Sequence, residues 1–441
     1  MRGWKLLSVL LVLLLTASTS FAAGFRLPEA GAKAMGMGFA FTAQADDPSA
    51  IYFNPAGLTQ LKGQNVMLGV TYVRENGGEF TGITPVDDTT AIKNETQKSL
   101  NFFIPNIYYT RTTNSGNVAY GVGFFTPFGL GQEYNNKDAS IFRNQITKID
   151  LQTIVVNPTI AFKINEIISI GAGIDYMYGK AKLSKNAVFP AGNPAPNLYD
   201  LTLDGTGYAW GYNFGLLLKA SPNLKFGFNY RSPFTLKVKD GDVAIRNIDS
   251  TVPLAAGPTF ASTFFGGRSS FDTKATATLS LPATAALGVS YTLDRLTLNA
   301  DADWTFWHSY RTLPIDIQNN NPILPDSNGA KQWKDVCALR LGAEYRVTDP
   351  LALRAGFVYD PTPVPESTLG PELPDATRLN YMVGAGYKVG PWTIDGAFMY
   401  IDKFDRTVSN VRLDENGKPA GQNGTWTGDA WLVSMDVGYK F

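Results

Sequence analysis

Histidine is the usual proton carrier of a neutral-pH active site, and the 441-residue chain has a single one, His308. A Ser-His-Asn lipid hydrolase would be built around it. Its neighbours Trp304, Phe306 and Trp307 instead make this stretch an amphipathic aromatic band, with His308 a member of it. Cys337 is the single cysteine, so a disulfide framework, a Cys/His zinc centre and a Cys-rich iron-sulfur centre are excluded. Asp301 and Asp303 lie two residues apart on one strand face; without a cleft they read as partners of inward arginines such as Arg340 or Arg354, not as an acid-base pair. Gly171-Ala172-Gly173 and Gly384-Ala385-Gly386 sit within strand patterns and lack the strand-turn-helix setting that cradles a phosphate. No cofactor, no metal and no catalysis are expected.

The elements that carry these residues begin with a leader. Met1 to Ala22 has Arg2 and Lys5, an apolar run from Leu6 to Leu15, and small residues at Ser20 and Ala22, the design of a cleavable signal peptide over residues 1–22. Lys+Arg and Asp+Glu number 38 each. Without Arg2 and Lys5 the mature chain holds 36 bases against 38 acids, a net charge of −2, which speaks against nucleic acid as a partner. Glycine is high at 43 residues, aromatics make 12% and charged residues only 17%, the balance of a Gly- and aromatic-rich β protein.

From residue 64 to 441 the dominant signal is period-2 alternation. Trp431, Val433, Met435, Val437, Tyr439 and Phe441 share one face, with Ser434, Asp436, Gly438 and Lys440 on the other. The same split runs through 295–311, 224–239 and 351–360, and charges keep falling on the face that a soluble sandwich would bury. With an export signal and an aromatic C-terminal strand, this predicts an all-β transmembrane protein, an outer-membrane barrel of about fourteen antiparallel strands. Short connections at 112, 164, 221, 293, 348 and 389 alternate with long ones at 76, 129, 184, 240, 312, 361 and 404, so both barrel ends fall on the periplasmic side. Pro282, inside 273–292, reads as a kink or bulge. The terminal Phe441 strand is the expected signal to the barrel assembly machinery.

Such a barrel is too wide for its own side chains to fill. Residues 23–63, with helix-compatible Pro28 to Met37 and a turn at Asp46-Asp47-Pro48-Ser49 leading into Ala50 to Phe53, are expected to plug it, leaving 64–441 as the barrel. A plugged barrel implies a selected substrate and a gate. Two features point to an apolar one. The outer loop 240–272 carries Val252 to Pro258 and then Phe260, Phe264 and Phe265, and the loop at 184 adds Val188, Phe189, Leu198 and Tyr199. Leu254, Phe260, Phe264 and Phe265 would form an outer capture groove, unless these loops pack on one another or meet lipopolysaccharide. Pro105, Pro127 and Pro158 fall in three successive strands, each removing a ladder donor. Phe125, Pro127, Phe128 and Gly129 would then mark a kink or gap in the wall, a lateral exit into the bilayer, unless the prolines make only ordinary bulges near strand ends.

Ala23-Gly24-Phe25-Arg26-Leu27-Pro28-Glu29, Gly31 to Gly36, and Asp46 to Gly57 with its Asn54-Pro55-Ala56 resemble the start of the FadL-type outer-membrane transporters of long-chain fatty acids, a family that includes toluene-uptake porins. Pro127-Phe128-Gly129, Asn229-Tyr230-Arg231-Ser232-Pro233, Tyr359-Asp360-Pro361 and Leu373-Pro374-Asp375 carry the likeness over the whole mature chain. The resemblance implies capture at outer loops, passage to a pocket in the barrel and sideways release as the plug rearranges. Asn54, Pro55 and Ala56 would be the plug hinge, or Asp47, Ser49 and Asn54 would simply cap helix turns. Phe25 would touch the ligand. Lys180, Lys331 and Lys334 would face its carboxylate, although lysine lacks the bidentate fork of arginine, which leaves a neutral hydrocarbon open. Without a nucleotide site or a TonB box, movement is expected to be passive, through a monomer set in outer-membrane lipid. An adhesin or phage receptor without transport is the remaining alternative.

Overall fold

The computed structural model describes residues 24–84, 92–135, 139–188, 198–246, 262, 265–318, 326–413 and 419–441, so the expected leader lies outside it. Among the described residues fourteen antiparallel strands close into a barrel. The first seven are β1 (Gln64–Glu75), β2 (Leu100–Thr112), β3 (Val118–Phe125, resuming at Gly129–Glu133), β4 (Lys148–Lys163), β5 (Ile168–Val188), β6 (Leu198–Ser221) and β7 (Leu224–Arg231, resuming at Phe234–Arg246). The others are β8 (Phe271–Leu281 and Ala283–Leu293), β9 (Leu296–Phe306 and Thr312–Ile317), β10 (Ser327–Ala330 and Val336–Arg346), β11 (Leu351–Asp360), β12 (Arg378–Val389), β13 (Trp392–Lys403) and β14 (Asp429–Lys440). β14 closes on β1, with Asn65 opposite Lys440 and Glu75 opposite Ala430.

The alternation is inside-out. On β14 Val433 and Met435 are 44% and 51% exposed, while Ser434 and Asp436 are buried. Apolar side chains thus clothe the exterior and polar ones line the lumen, as a sheet bathed in lipid requires. Prolines set three of the strand breaks, at Pro127, Pro233 and Pro282, where a ladder donor is missing. A fourth break departs from expectation. The sequence predicts one strand over 295–311, but Trp307–Ser309 form a 3₁₀ turn that swings Trp307 into the lumen, fully buried. The outer loops also carry a small sheet, ordered Arg406–Ser409, Asn423–Thr427, Glu79–Ile83 and Lys93–Thr96, too short to leave a periodic signal.

Residues 24–63 fill the lumen. The helix α1 is only Ala32–Met35, shorter than the predicted 28–37, because the chain turns through Gly38 and Phe39 at positive φ. α2 (Ala50–Phe53) follows as expected, and Pro55–Gln60 continue as a 3₁₀ turn. This plug is seated on the wall by polar contacts. The Ala32 N–H at the start of α1 donates to Asp436 Oδ2 at 2.5 Å, and the Thr42 N–H donates to Asp301 Oδ2 at 2.9 Å. Arg26 and Arg340 both hold Asp303, at 2.8 and 2.7 Å. Within the wall itself, the Arg354 guanidinium binds Glu344 and Asp395, both at 2.7 Å. The inward charges that look anomalous in sequence therefore bind the plug to the wall and neighbouring strands to one another.

Candidate functional site: two lumen cavities beside a break in the wall

The break in β3 opens a window. The turn-proximal part of β2, Ile107 to Thr112, pairs with Ala119 to Phe124 of β3. Beyond Asn106, β2 keeps its ladder with β1 alone, and the resumed Gly129–Glu133 pairs with β4. The two edges meet again only at Gln97 and Tyr134, with the Lys98 N–H donating to the Glu133 carbonyl at 2.7 Å. Thr126 to Phe128 bend inward, and the plug's first residues take over their backbone bonding. The Leu27 N–H donates to the Pro127 carbonyl at 2.9 Å, and the Gly129 N–H donates to the Phe25 carbonyl at 3.0 Å. The Thr153 hydroxyl donates to the Phe128 carbonyl at 2.6 Å. The window is patched by a piece of the plug, two backbone hydrogen bonds wide. Phe125, Pro127, Phe128 and Gly129 all fall at it.

Two cavities share the lumen on the loop side of the plug. An outer one of about 610 Å³ is walled by Ile149, Leu183, Tyr199, Leu201, Leu313 and Trp333 among others. An inner one of about 580 Å³ runs from Arg340 and Asn380 to the window. Its lining includes Phe103 and Ile154, 70% and 46% exposed on the barrel's outer surface, so it opens sideways. Phe25, Leu130 and Leu373 line both cavities and stand between them. The Phe25 ring is held by Trp307, Trp333, Tyr310 and Phe128 at centroid distances of 4.8, 5.5, 5.8 and 6.2 Å. Sequence reasoning placed Phe25 here but missed its cage. The consecutive aromatics Phe306 and Trp307, which cannot both face lipid in a regular strand, were the available signal.

The three lysines separate. Lys331 lines the outer cavity, with its ammonium on the Glu372 carboxylate. Lys180 does not reach the lumen. It shares the parity of Ile174 and Tyr178, outward and exposed on β5, and period 2 leaves it no inward choice. Lys334 is exposed as well, its backbone N–H donating to the Pro363 carbonyl. Of the capture groove, Leu254, Phe260 and Phe264 lie outside the described residues, as do Val252 to Pro258, Phe189 and the side chains of Val188 and Leu198. Phe265 is buried among Tyr199, Leu201, Val243 and Ile245, at the loop end above the outer cavity. His308 is exposed, its ring Nδ1 2.8 Å from Asp335.

Asn54-Pro55-Ala56 is the most tightly held turn of the plug. The Asn54 amide donates to the carbonyls of Thr42 and Leu216, at 2.8 and 3.0 Å, and its Oδ1 accepts from the Ala56 N–H at 3.1 Å. The wall opposite is bare: a Cβ on Gly215 would strike Asn54 Oδ1, and one on Gly171 would lie 2.5 Å from the Pro55 carbonyl carbon. Only glycine lets the backbone approach so closely. Asn54 thus caps the 3₁₀ turn and ties it to the wall, whereas Ser49 makes no side-chain cap on α2. Elsewhere in the plug burial pushes the Glu29 carboxyl up to about 7 and that of Asp47 up to about 6. Asp46 is half-buried, and Lys33, 2.7 Å away, holds it below the usual carboxylate range.

Comparison with known proteins agrees with this architecture. The family model described as outer membrane protein transport protein (OMPP1/FadL/TodX) matches residues 13–441. Outer membrane protein P1 of Haemophilus influenzae is 25% identical over 97% of each chain. The long-chain fatty acid transport protein of Salmonella typhi is 24% identical over 96% of each. Among solved structures, a Pseudomonas aeruginosa FadL homologue superposes with a TM-score of 0.79 at 23% identity, covering 95% of this chain and all of the other. The Ralstonia pickettii toluene transporter TbuX gives 0.66 at 17% identity, covering 93% and 98%.

Proposed function

Since the chain belongs to the OMPP1/FadL/TodX family of outer-membrane transport proteins for hydrophobic compounds, we propose that its own cargo is long-chain fatty acid, released sideways into the bilayer. The observation that carries this reading is the inner cavity, which opens between β2 and β3 onto the lipid-facing surface. Cargo enters the outer cavity, where Lys331 supplies a cation for a carboxylate, and passes Phe25 into the inner one. It leaves once residues 25–27 let go of Thr126 to Gly129. Asn54-Pro55-Ala56 is the fixed point of the plug, and the N-terminal patch is the part that moves. Nothing in the route consumes energy, so cargo moves down its own gradient. Phe265 and the neighbouring loop aromatics feed the outer cavity. The barrel works as a monomer in lipid and lipopolysaccharide, and the exposed Phe441 serves recognition by the assembly machinery.

A second reading, import of neutral aromatic hydrocarbons by the same route, has one observation in its favour: Lys331 is already matched to Glu372, so the outer cavity carries little net charge there. Labelled oleate and labelled toluene uptake separates the two in Gram-negative cells lacking their own transporter. Oleate transport that falls several-fold in Lys331→Met and Asn54→Ala but not in Lys180→Met supports the fatty-acid reading. Toluene uptake alone moves the cargo to hydrocarbons, and uptake of neither leaves an adhesin or receptor barrel.

A further inference from the structure

We propose that the inner cavity holds a head-group station of its own, built from Glu29, Arg340 and Asn380, which receives an uncharged hydroxyl-bearing head, that of an alcohol or a protonated carboxylic acid. This rests on the transport reading and adds to it the chemical form in which cargo waits at the window.

Arg340 on β10 stands opposite Val358 on β11, which stands opposite Asn380 on β12, so these three side chains form one row on the inner face. Glu29 approaches from the plug, and all four residues line the inner cavity. Glu29, Arg340 and Asn380 are 6%, 7% and 5% exposed, yet each keeps a buried polar atom that meets no partner within the protein: Oε2, Nε and Oδ1. Buried polar atoms are rarely left so, and three on residues that line one cavity mark a place where small side-chain rotations would meet a ligand. The inventory is one donor, the Arg340 Nε–H, one acceptor, Asn380 Oδ1, and a Glu29 oxygen that accepts when ionised and can donate when protonated. An undissociated acid matches it, its carbonyl accepting from the Arg340 Nε–H and its O–H donating to Asn380 Oδ1 or Glu29 Oε2. An alcohol matches it with a single oxygen. A carboxylate, which only accepts, would meet the repelling Asn380 Oδ1 beside the single Arg340 Nε–H, and above about pH 7 the Glu29 carboxylate as well.

Charge points the same way. Arg340 is committed to Asp303, and Arg378 binds Asp360 at 2.7 Å. The charged groups that act on Glu29 are Arg378, Arg340 and Asp360, and burial outweighs them, keeping its carboxyl near neutrality. Ile104, Leu151, Leu373, Met399, Ile401 and Leu432 give the same cavity an apolar stretch for a chain, with Glu75, Asp150 and Lys403 also on its lining. A head that is uncharged here is also the form that enters hydrocarbon at least cost.

The test is equilibrium binding of labelled 1-dodecanol, dodecane and dodecanoic acid to the purified full chain in lipid nanodiscs, with empty nanodiscs subtracted. Dodecanol should bind about tenfold tighter than dodecane, and that preference should fall to about threefold or less in Asn380→Leu. Glu29→Leu, which leaves the barrel wall untouched, carries the same expectation, with dodecane affinity retained in both. Dodecanoic acid should bind more tightly at about pH 5 than at about pH 9. Equal affinity for dodecanol and dodecane, or tighter binding of the acid at high pH, overturns the station. Oleate uptake in cells reads the transport proposal separately: uptake without a dodecanol preference sinks the station alone, and a preference without uptake sinks the transport reading alone.

Discussion

Replacing Phe25 by alanine should loosen the patch over the window and nothing else in the plug. Phe25 is 4% exposed and touches four aromatic rings. Truncating a buried phenylalanine costs about 3–5 kcal/mol, and the lower end applies because the neighbouring backbone can settle. The patch keeps its two hydrogen bonds to Pro127 and Gly129, so the loss falls on its local opening equilibrium. About 3 kcal/mol corresponds to roughly a 150-fold rise in the open fraction. Amide hydrogen exchange on the purified barrel reads this directly. The Leu27 and Gly129 amides should lose roughly two decades of protection. The Ala56 amide, held by Asn54 Oδ1, should keep its own. Unchanged exchange at Leu27 and Gly129 would mean that the aromatic cage does not hold the patch. An equal loss at Ala56 would mean that the plug opens as one body, and the division into a fixed turn and a moving patch would be wrong.

Asp303→Asn leaves Arg26 and Arg340 buried without their shared carboxylate and should cost about 3–5 kcal/mol, seen as a lower temperature for loss of the compact band in heat-modifiable gel mobility. Arg26→Met in that background should add less than it does alone, which a double-mutant cycle measures. Gly215→Ala should abolish the compact band because its methyl collides with Asn54, whereas Gly396→Ala, whose methyl would meet nothing closer than 3.9 Å, should be tolerated. Glu29 has its folded pKa raised from 4.5 to about 7, so the hold on the N-terminal segment is strongest below about 4.5 and is lost as pH rises through 7. The change amounts to at most about 3 kcal/mol. Protease nicking near Glu29 should therefore speed up between about pH 5 and 8 in the native chain, beyond the protease's own pH response, and Glu29→Gln should flatten that rise.

The strands were legible wherever lipid on one face and polar lumen on the other impose strict alternation. The ends expected for β1, β11 and β13, at 64–75, 351–360 and 392–403, coincide with the observed ones. Alternation fails where the chain leaves the ladder for a non-local partner. Thr126 to Phe128 turn in to meet residues 25–27, and Trp307 turns in to meet Phe25; neither partner is near in sequence. The outward placement of Lys180 was readable from the parity of Ile174 and Tyr178, but a loose match to other chains obscured it. The row of Arg340, Val358 and Asn380 needs the register of three strands, which composition and period do not carry. That the family motif Asn54-Pro55-Ala56 is a wall contact followed from nothing local either, because the glycines that receive it lie on β5 and β6.

The bond between the Ala32 N–H and Asp436 joins residues 404 positions apart, the front of the plug and the last strand of the barrel. The plug also holds Asp301 and Asp303 on β9 and Leu216 on β6, so its seat is distributed over strands far apart in the chain. β14 thus makes both the seam with β1 and the bond that seats α1, so one strand couples barrel closure to plug seating. A chain cut short before Asp436 should lack both the seam and the seat, a built-in check that only finished molecules become tight.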